Sequence, residues 1–159
     1  MNRQDFITQV EGIQEGFRRF LCALCCGDSA MADDIAQDAL LRAYVSLPSL
    51  RDSSKFKSWI FSIGYHEFIS HSRTRQKPLS LDAASHLVSE VKADDSLRYE
   101  ALHMALDSLS EKERVAILLF YMEGYGSEEI ANIMESTDGA VRQLLSRGRK
   151  HLRTLLTQN

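Results

Sequence analysis

The chain has 159 residues, of which 44% are hydrophobic and 26% charged, and it contains only 8 glycines and 2 prolines. This composition is typical of a folded globular protein and excludes the collagen-like, disordered and disulfide-scaffold classes. No apolar run approaches the roughly 18–20 residues that a membrane span requires. The N-terminus also lacks the basic and apolar regions of a secretory signal, so we expect neither membrane insertion nor export.

All three cysteines, Cys22, Cys25 and Cys26, lie within five residues of each other. An odd, clustered number of thiols without a signal peptide indicates a reducing cytoplasmic environment. The spacing of Cys22 and Cys25 is that of half a metal site, but the sequence has no second cysteine pair and no histidine close to it. Because zinc needs about four such ligands, we interpret the cysteines as small apolar helix residues and predict no metal and no cofactor.

Apolar residues at helical spacing predict a first helix over residues 5–25 and a second over residues 30–47. In the second helix, Ile35, Ala39 and Ala43 belong to a stripe that we expect to be buried. A different face contains Leu41 and Val45 among polar residues, which is unusual for a face that contacts only water. Scattered surface apolar residues and a docking surface for a partner both explain this pattern. The candidate docking face consists of Asp34, Gln37, Asp38, Leu41 and Arg42.

A third helix is predicted from about Lys55, after Pro48 ends the second. Five of the 13 aromatic residues fall between positions 56 and 68. A helix with rings on several faces is not expected to hide all of them in a small domain, and rings combined with cations suit unpaired bases and their phosphates. A helix buried on two sides is the alternative. The interleaved or following cations are Lys55, Lys57, His66, His71, Arg73 and Arg75.

Residues 76–96 include Pro78 and several serines and aspartates but show no sustained periodicity, and this predicts a linker. The pieces on either side are each long enough for a small helical core. No strand pattern with a period of two stands out. We therefore predict an all-α protein with two small helical domains, residues 1–75 and 98–159, joined by a linker at 76–97. No nucleotide-binding loop or convergent catalytic set is present, so we do not expect an enzyme.

The C-terminal piece has the pattern of a helix-turn-helix. A stripe of Leu102, Ala105, Leu106 and Leu109 predicts one helix, and Ser110 is expected to cap a second that runs towards Gly124. Ser127 is expected to cap a short helix that ends at Met134. A tight turn then leads to a long basic helix from about Asp138, sized for a DNA major groove. Packing of these helices without DNA is the alternative.

Charge supports the DNA interpretation once it is counted by segment. The net charge is −3, and residues 99–138 carry 2 basic and 9 acidic side chains. The last 21 residues, by contrast, carry 5 basic side chains and no acidic one. A basic stripe confined to one helix indicates a phosphate-binding face, although cations also favour helix C-termini for dipole reasons.

Two groups of motifs resemble a known family. Residues 106–114 (LDSLSEKER), 129–131 (EIA) and 139–149 (GAVRQLLSRGR) resemble region 4 of bacterial extracytoplasmic-function (ECF) sigma factors of the sigma-70 family. Residues 33–44 (DDIAQDALLRAY) and 56–63 (FKSWIFSI) look like region 2 of the same family. The motifs occur in the expected order and extend over almost the whole chain.

The resemblance implies a promoter-specificity subunit that directs RNA polymerase to −10 and −35 promoter elements. Its implied partners are promoter DNA, core RNA polymerase through the clamp helices of the largest subunit, and an anti-sigma factor. The candidate docking face would bind core polymerase. The residues implied for the −10 element are Lys55, Phe56, Lys57, Trp59, Tyr65, His66, Arg73 and Arg75. Those implied for the −35 element are Thr137, Asp138, Arg142, Gln143, Ser146, Arg147, Arg149 and Lys150.

The sequence departs from the family pattern at four positions that bear on promoter choice. His66 stands where Asn is usual and Ser70 where Asp is usual. Ala140 replaces a usual Thr, and Leu144 replaces a common Arg. Two other functions stay open at this stage: a sigma-like decoy that binds an anti-sigma protein without initiating transcription, and a free-standing helix-turn-helix regulator.

Overall fold

The computed structural model of the protein describes residues 1–75 and 93–157. Within these residues it is helical and has no strand, which confirms the all-α prediction. None of the helices in this part of the chain could cross a membrane. The helices are α1 (Arg3–Leu24), α2 (Ser29–Val45), α3 (Phe56–Arg75), α4 (Ala93–Asp107), α5 (Glu111–Tyr121), α6 (Ser127–Ile133) and α7 (Asp138–Thr157).

The beginnings of the helices follow from capping side chains. Ser110 and Glu113 cap each other's backbone at the start of α5, which satisfies amides that have no partner inside the helix. Ser127 was predicted to be the N-cap of α6, but it is the first residue of the helix, and the N-cap is Gly126. Helix α4 begins at Ala93, inside the predicted linker. The remainder of the predicted linker, residues 76–92, lies outside the described residues.

The N-terminal half is built from α1, α2 and α3 around buried aromatic rings. The rings of Phe17 and Phe61 lie edge to face with centroids 5.3 Å apart, a favourable arrangement for aromatic pairs. Gly64 makes the close approach of α1 and α3 feasible, because a Cβ at this position would lie 2.7 Å from the Phe17 ring. The predicted stripe of α2 is buried at Ile35, Ala39 and other alanines.

The C-terminal half packs α4, α5, α6 and α7 around a second group of buried side chains. Val115 and Leu119 of α5, Ile130 of α6 and Val141 of α7 are fully or almost fully buried. Of the four residues whose spacing predicted α4, Ala105, Leu106 and Leu109 are buried, whereas Leu102 is 46% exposed.

The two halves are in contact with each other. Helix α1 packs against α5, and α3 packs against α6. Consequently the buried apolar residues of both halves form one continuous cluster.

Candidate nucleic-acid and polymerase interfaces

The helix-turn-helix is fixed by a short set of polar contacts around the turn between α6 and α7. The hydroxyl of Thr137 accepts a hydrogen bond from the amide of Ala140 at 3.1 Å and thereby caps α7. Asp138 accepts a hydrogen bond of 2.5 Å from the hydroxyl of Ser127, the first residue of α6. The other oxygen of Asp138 lies 2.8 Å from Nε of Arg142. Asp138 therefore ties the start of α7 to the start of α6 and orients Arg142.

Helix α7 separates an apolar face from a polar one. Val141, Leu145 and Gly148 are buried against the rest of the C-terminal half. The polar face consists of the exposed residues Arg142, Gln143, Ser146, Arg147 and Lys150. Thr137, just before the helix, is exposed as well. Six of the eight residues predicted for the −35 element are therefore exposed on or just before α7.

Arg149 lies on a different part of α7 and is only partly exposed. Its Nε donates a hydrogen bond of 2.9 Å to the hydroxyl of Tyr121, and its guanidinium lies 5.2 Å from the centroid of the Phe120 ring. Such cation–π packing holds the side chain against α5. Arg149 therefore helps to attach α7 to α5 and is less free than its neighbours to move towards a ligand.

The aromatic rings of α3 are more deeply buried than a surface that stacks on bases requires. Phe56 is only 1% exposed and Tyr65 only 6%, so these two predicted −10 residues are not available as stacking surfaces in this arrangement. The ring of Phe56 packs against Phe6 and against the half-buried Trp59, with centroids 5.7 and 6.1 Å away. Helices α1, α2 and α6 all pack against α3, in agreement with the alternative of a helix buried on two sides, while the contact of α3 with DNA stays a prediction.

Most basic side chains in and just before α3 lie at the surface, and three of them, Lys57, His66 and His71, are paired with carboxylates. Nζ of Lys57 is 3.4 Å from a carboxylate oxygen of Glu123, and Nε2 of His66 is 3.4 Å from one of Glu135. Nδ1 of His66 donates a hydrogen bond of 2.7 Å to the carbonyl of Ser62. Lys55 and Arg73 are exposed. The side chain of Arg75, also predicted for the −10 element, lies outside the described residues.

An open cleft of about 420 Å³ separates the later turns of α3 from α5. Tyr65, His66 and Arg73 line it from α3, and Lys112 lines it from α5. Burial, the largest effect, raises the pKa of Tyr65 above its usual value. The tyrosine is therefore a neutral hydrogen-bonding group at physiological pH.

The candidate docking face of α2 is exposed at all five of its residues. Leu41 is 66% exposed, and the neighbouring Val45 is 72% exposed. Two of the charged residues are tied to α3: Nε of Arg42 lies 2.7 Å from Glu67, and an oxygen of Asp38 lies 2.9 Å from Nε2 of His71. The face therefore combines apolar side chains with a polar rim that α3 orients.

Ligating atoms of Asp38, Glu67 and His71 lie within 4.8 Å of one another. Arg42 already lies 2.7 Å from Glu67 and His71 lies 2.9 Å from Asp38, so both carboxylates of the group already have a partner. The three cysteines are free thiols at the end of α1. Burial is the largest effect that raises the pKa of Cys25 to about 12 and that of Cys26 to about 11. These thiols are protonated at neutral pH, as expected for cysteines that fill space in the core and do not act as nucleophiles.

Sequence reasoning did not single out the carboxylates that pair with the cations of these faces. Glu67, Glu123 and Glu135 each lie far in sequence from their partners. No local spacing rule connects such residues, because only the packing of the helices brings them together.

Comparison with known proteins adds two matches to family models. Residues 11–77 match the model for sigma-70 region 2, and residues 99–152 match the model for sigma-70 region 4. The chain is 34% identical over 141 residues to a probable RNA polymerase sigma factor, RfaY, of Xanthomonas campestris, covering 82% of this chain. The matched part of the present chain spans only 35% of the length of RfaY.

Two further likenesses cover nearly the whole chain. The ECF RNA polymerase sigma factor EcfG of Rhodopseudomonas palustris is 29% identical over 158 residues, which is 97% of this chain and 84% of that protein. The sigma factor RpoE of Bartonella quintana, solved in complex with the anti-sigma factor NepR, is similar in fold with a TM-score of 0.81 at 26% identity. That likeness covers 97% of this chain and 98% of RpoE.

Proposed function

Because the chain belongs to the ECF group of the sigma-70 family of RNA polymerase sigma factors, we propose that it directs RNA polymerase to promoters with a −10 and a −35 element. The observation that carries this proposal is the exposed polar face of α7 in a helix-turn-helix whose apolar face is buried. The chain contributes recognition, while the polymerase supplies the chemistry of RNA synthesis. Its place of action is the cytoplasm, where that polymerase works.

At the −35 element, α7 enters the major groove of duplex DNA. Arg142, Gln143 and Ser146 lie near the N-terminal half of α7 and reach base edges. Arg147 and Lys150 bind phosphates further along the helix. Asp138 has a positioning role, because its carboxylate already accepts bonds from Ser127 and Arg142. Thr137 caps the helix, and Arg149 contributes its charge from a fixed position on α7, where it packs against α5.

At the polymerase, the candidate docking face of α2 binds the clamp helices of the largest subunit. Leu41 supplies the apolar centre, and Asp34, Gln37, Asp38 and Arg42 supply a polar rim. This anatomy is typical of protein interfaces. The exposure of Leu41 supports the assignment, because an isolated apolar side chain at the centre of a polar helix face gains most from being covered.

At the −10 element, α3 supplies cations for the backbone of the opened strand. Lys55, Lys57, His66, Arg73 and Arg75 are the cationic candidates, and Trp59 is the half-buried ring closest to the surface. Phe56 supports this helix from inside the core. Tyr65 is buried, so it can contact DNA only after the residues that cover its ring have moved.

An anti-sigma factor is proposed as a further partner. RpoE, to which this chain is similar, was solved in complex with one. A decoy that only binds such a regulator is the second candidate function, and the departures at His66 and Ser70 favour it. The third alternative, a helix-turn-helix regulator that acts without polymerase, does not explain why α2 exposes an apolar face.

Initiation on a library of promoters with purified core polymerase tests the proposal. We expect the wild-type chain to produce specific transcripts, whereas a decoy would yield none. Leu41→Asp should abolish recovery of core polymerase in a pull-down and with it the transcripts. Leu156→Asp is the matched control, because Leu156 is 60% exposed but lies on α7, away from α2. Equal loss in both variants would contradict the assigned docking face.

A further inference from the structure

We infer that Asp38, Glu67 and His71 form a binding site for one divalent transition-metal cation of the zinc type, at the contact between α2 and α3. The site goes beyond the proposed function and does not depend on it. It contains no cysteine, so it lies outside the thiol pattern from which we predicted no metal.

Two of the three ligands lie on one face of α3, and the third lies opposite them on α2. Glu67 and His71 are four residues apart, a spacing that places side chains one above the other on a helix. Helix α2 packs against α3 and brings Asp38 to them, where Nε2 of His71 donates a hydrogen bond of 2.9 Å to Oδ2 of Asp38. One ligating atom from each of the three residues therefore lies within 4.8 Å of the other two.

The chemistry and the spacing of these atoms suit a small divalent cation. Imidazole nitrogen and carboxylate oxygen are ligands of zinc and its first-row neighbours. With bonds of about 2.0–2.1 Å, the ligand atoms around tetrahedral zinc lie roughly 3.3 Å apart. Small side-chain rotations bring the three atoms to that spacing. Three protein ligands leave the fourth position to water, as in open zinc sites.

Glu67 is the ligand whose environment most favours a second cation. Its side chain is only 9% exposed, and Nε of Arg42 lies 2.7 Å from its Oε1. The other oxygen, Oε2, accepts no hydrogen bond from the residues that the structure describes. A buried carboxylate is costly unless its charge and its oxygens are satisfied. A metal on Oε2 would supply what the single contact with Arg42 does not.

The scaffold under the site is rigid, while its outer side is open. Ala39 and Ala43 of α2 and Phe68 of α3 are buried in the core, so the backbone that carries the ligands is held in place, as a metal site requires. The side chains of His71 and Asp38 are 29% and 54% exposed. A cation therefore has a path to the site from solvent.

Binding exchanges weaker partners for the metal. The side chain of Arg42 is 69% exposed, so its guanidinium can turn into water at little cost, since exposed ion pairs contribute little to stability. His71 binds through Nε2 when its proton is on Nδ1, and the metal then takes the place of the proton shared with Asp38. Arg42 is thereby released at the rim of the candidate docking face.

The cysteines do not compete well for such a cation. Metal ligands have to be deprotonated, whereas burial raises the pKa of Cys25 to about 12 and that of Cys26 to about 11. In the part of the chain that the structure describes, Asp38, Glu67 and His71 are the only three histidine, cysteine or acidic residues whose ligand atoms lie this close together.

Calorimetric titration of Zn²⁺ into the full, chelator-treated chain tests the inference. We expect a single Zn²⁺ per chain, bound at least ten-fold more weakly by Asp38→Asn. Asp34→Asn makes the same change one turn earlier on α2, also at an exposed position, and should bind like the wild type. His71→Gln should lose binding to a similar extent, whereas His66→Gln, on the same helix, should not. Equal helical circular dichroism shows that the variants are folded.

Two further measurements separate this site from adventitious binding. Arg42→Gln should bind Zn²⁺ at least three-fold more tightly, because the cation that competes for Glu67 is gone. The chain loaded with Co²⁺ should show no thiolate-to-cobalt charge-transfer band. Equal affinities of Asp38→Asn and Asp34→Asn, no gain in Arg42→Gln, or a thiolate band would each overturn the inference. None of these measurements needs DNA or polymerase, so their failure is distinct from a failure to initiate transcription.

Discussion

Individual glycines of α7 differ in the space around them, and this difference shows where α7 is pressed against α5. A Cβ at Gly148 would lie 2.8 Å from Cγ1 of Ile117, whereas a Cβ at Gly139 would meet no atom within 4 Å. Because α7 packs closely against α5 at Gly148, the distance between the polar face of α7 and the buried core is fixed.

Alanine at these two glycines should have opposite effects on stability. A helix interior gains about 0.5–1 kcal/mol when glycine becomes alanine, so Gly139→Ala should be neutral or stabilising. Gly148→Ala should cost about 1–3 kcal/mol because Ile117 must move in a filled core. Urea unfolding measures both, and equal free energies of unfolding for the two variants would contradict the proposed contact.

The buried thiol of Cys25 makes stability depend on pH in the alkaline range. Its pKa is raised by burial from 9.0 to about 12, so between these values the unfolded chain releases a proton that the folded chain keeps. Stability is therefore highest below pH 9 and falls as pH rises towards 12.

Cys25→Ala should reduce this pH dependence. One pH unit above 9.0, the wild-type thiol costs about 1.4 kcal/mol of stability, and the variant lacks that cost. Tyr125, whose pKa burial also raises to about 12, acts in the same direction but is present in both chains. Urea unfolding at pH 8 and pH 10, followed by the fluorescence of the single tryptophan, gives the change in the free energy of unfolding with pH for the wild-type chain and for Cys25→Ala. Identical slopes would refute the assignment.

At the scale of helices, the sequence predicted the elements of both halves and the exposed faces of α2 and α7. Those features depend on local signals, such as apolar spacing around Ile35 or the serine cap at Ser110. The burial of α3 could not be predicted in the same way. Whether Phe56 and Tyr65 are covered depends on α1, α2 and α6, and no short-range pattern states how these elements pack. The partners of Lys57 and His66 were missed for the same reason.

Helix α7 also provides a direct test of its proposed contact with DNA. Arg147 is exposed and makes no ion pair with the residues that the structure describes, so its charge is available to a phosphate. Arg147→Ala should weaken binding of a −35 duplex and reduce the salt slope by about 0.9. Arg19→Ala, an exposed change on α1, is the control. Unchanged affinity and slope in Arg147→Ala would refute the phosphate contact.

At the scale of the whole molecule, polar and apolar contacts join the two halves. A typical hydrogen bond contributes about 0.5–1.5 kcal/mol net, and an exposed ion pair about 0–1 kcal/mol. The polar contacts therefore contribute a few kcal/mol to the association of the halves, and the shared apolar cluster adds to this contribution.

The contacts between the halves should make them unfold together, and Glu123→Lys should weaken these contacts because it removes the pair with Lys57. Trp59 lies in the N-terminal half and reports on that half alone, whereas circular dichroism reports on all helices. In the wild-type chain we expect coincident urea transitions by both probes, as in a single cooperative unit. In Glu123→Lys the transitions should separate. Coincident transitions in both chains would contradict this prediction.

The apolar centre of α2 has a consequence for the order of events at a gene. Leu41 and Val45 are uncovered while α3 is still held by α6. Under the proposed assignment of α2, recruitment to the polymerase therefore requires no change in the packing of α3 on α6.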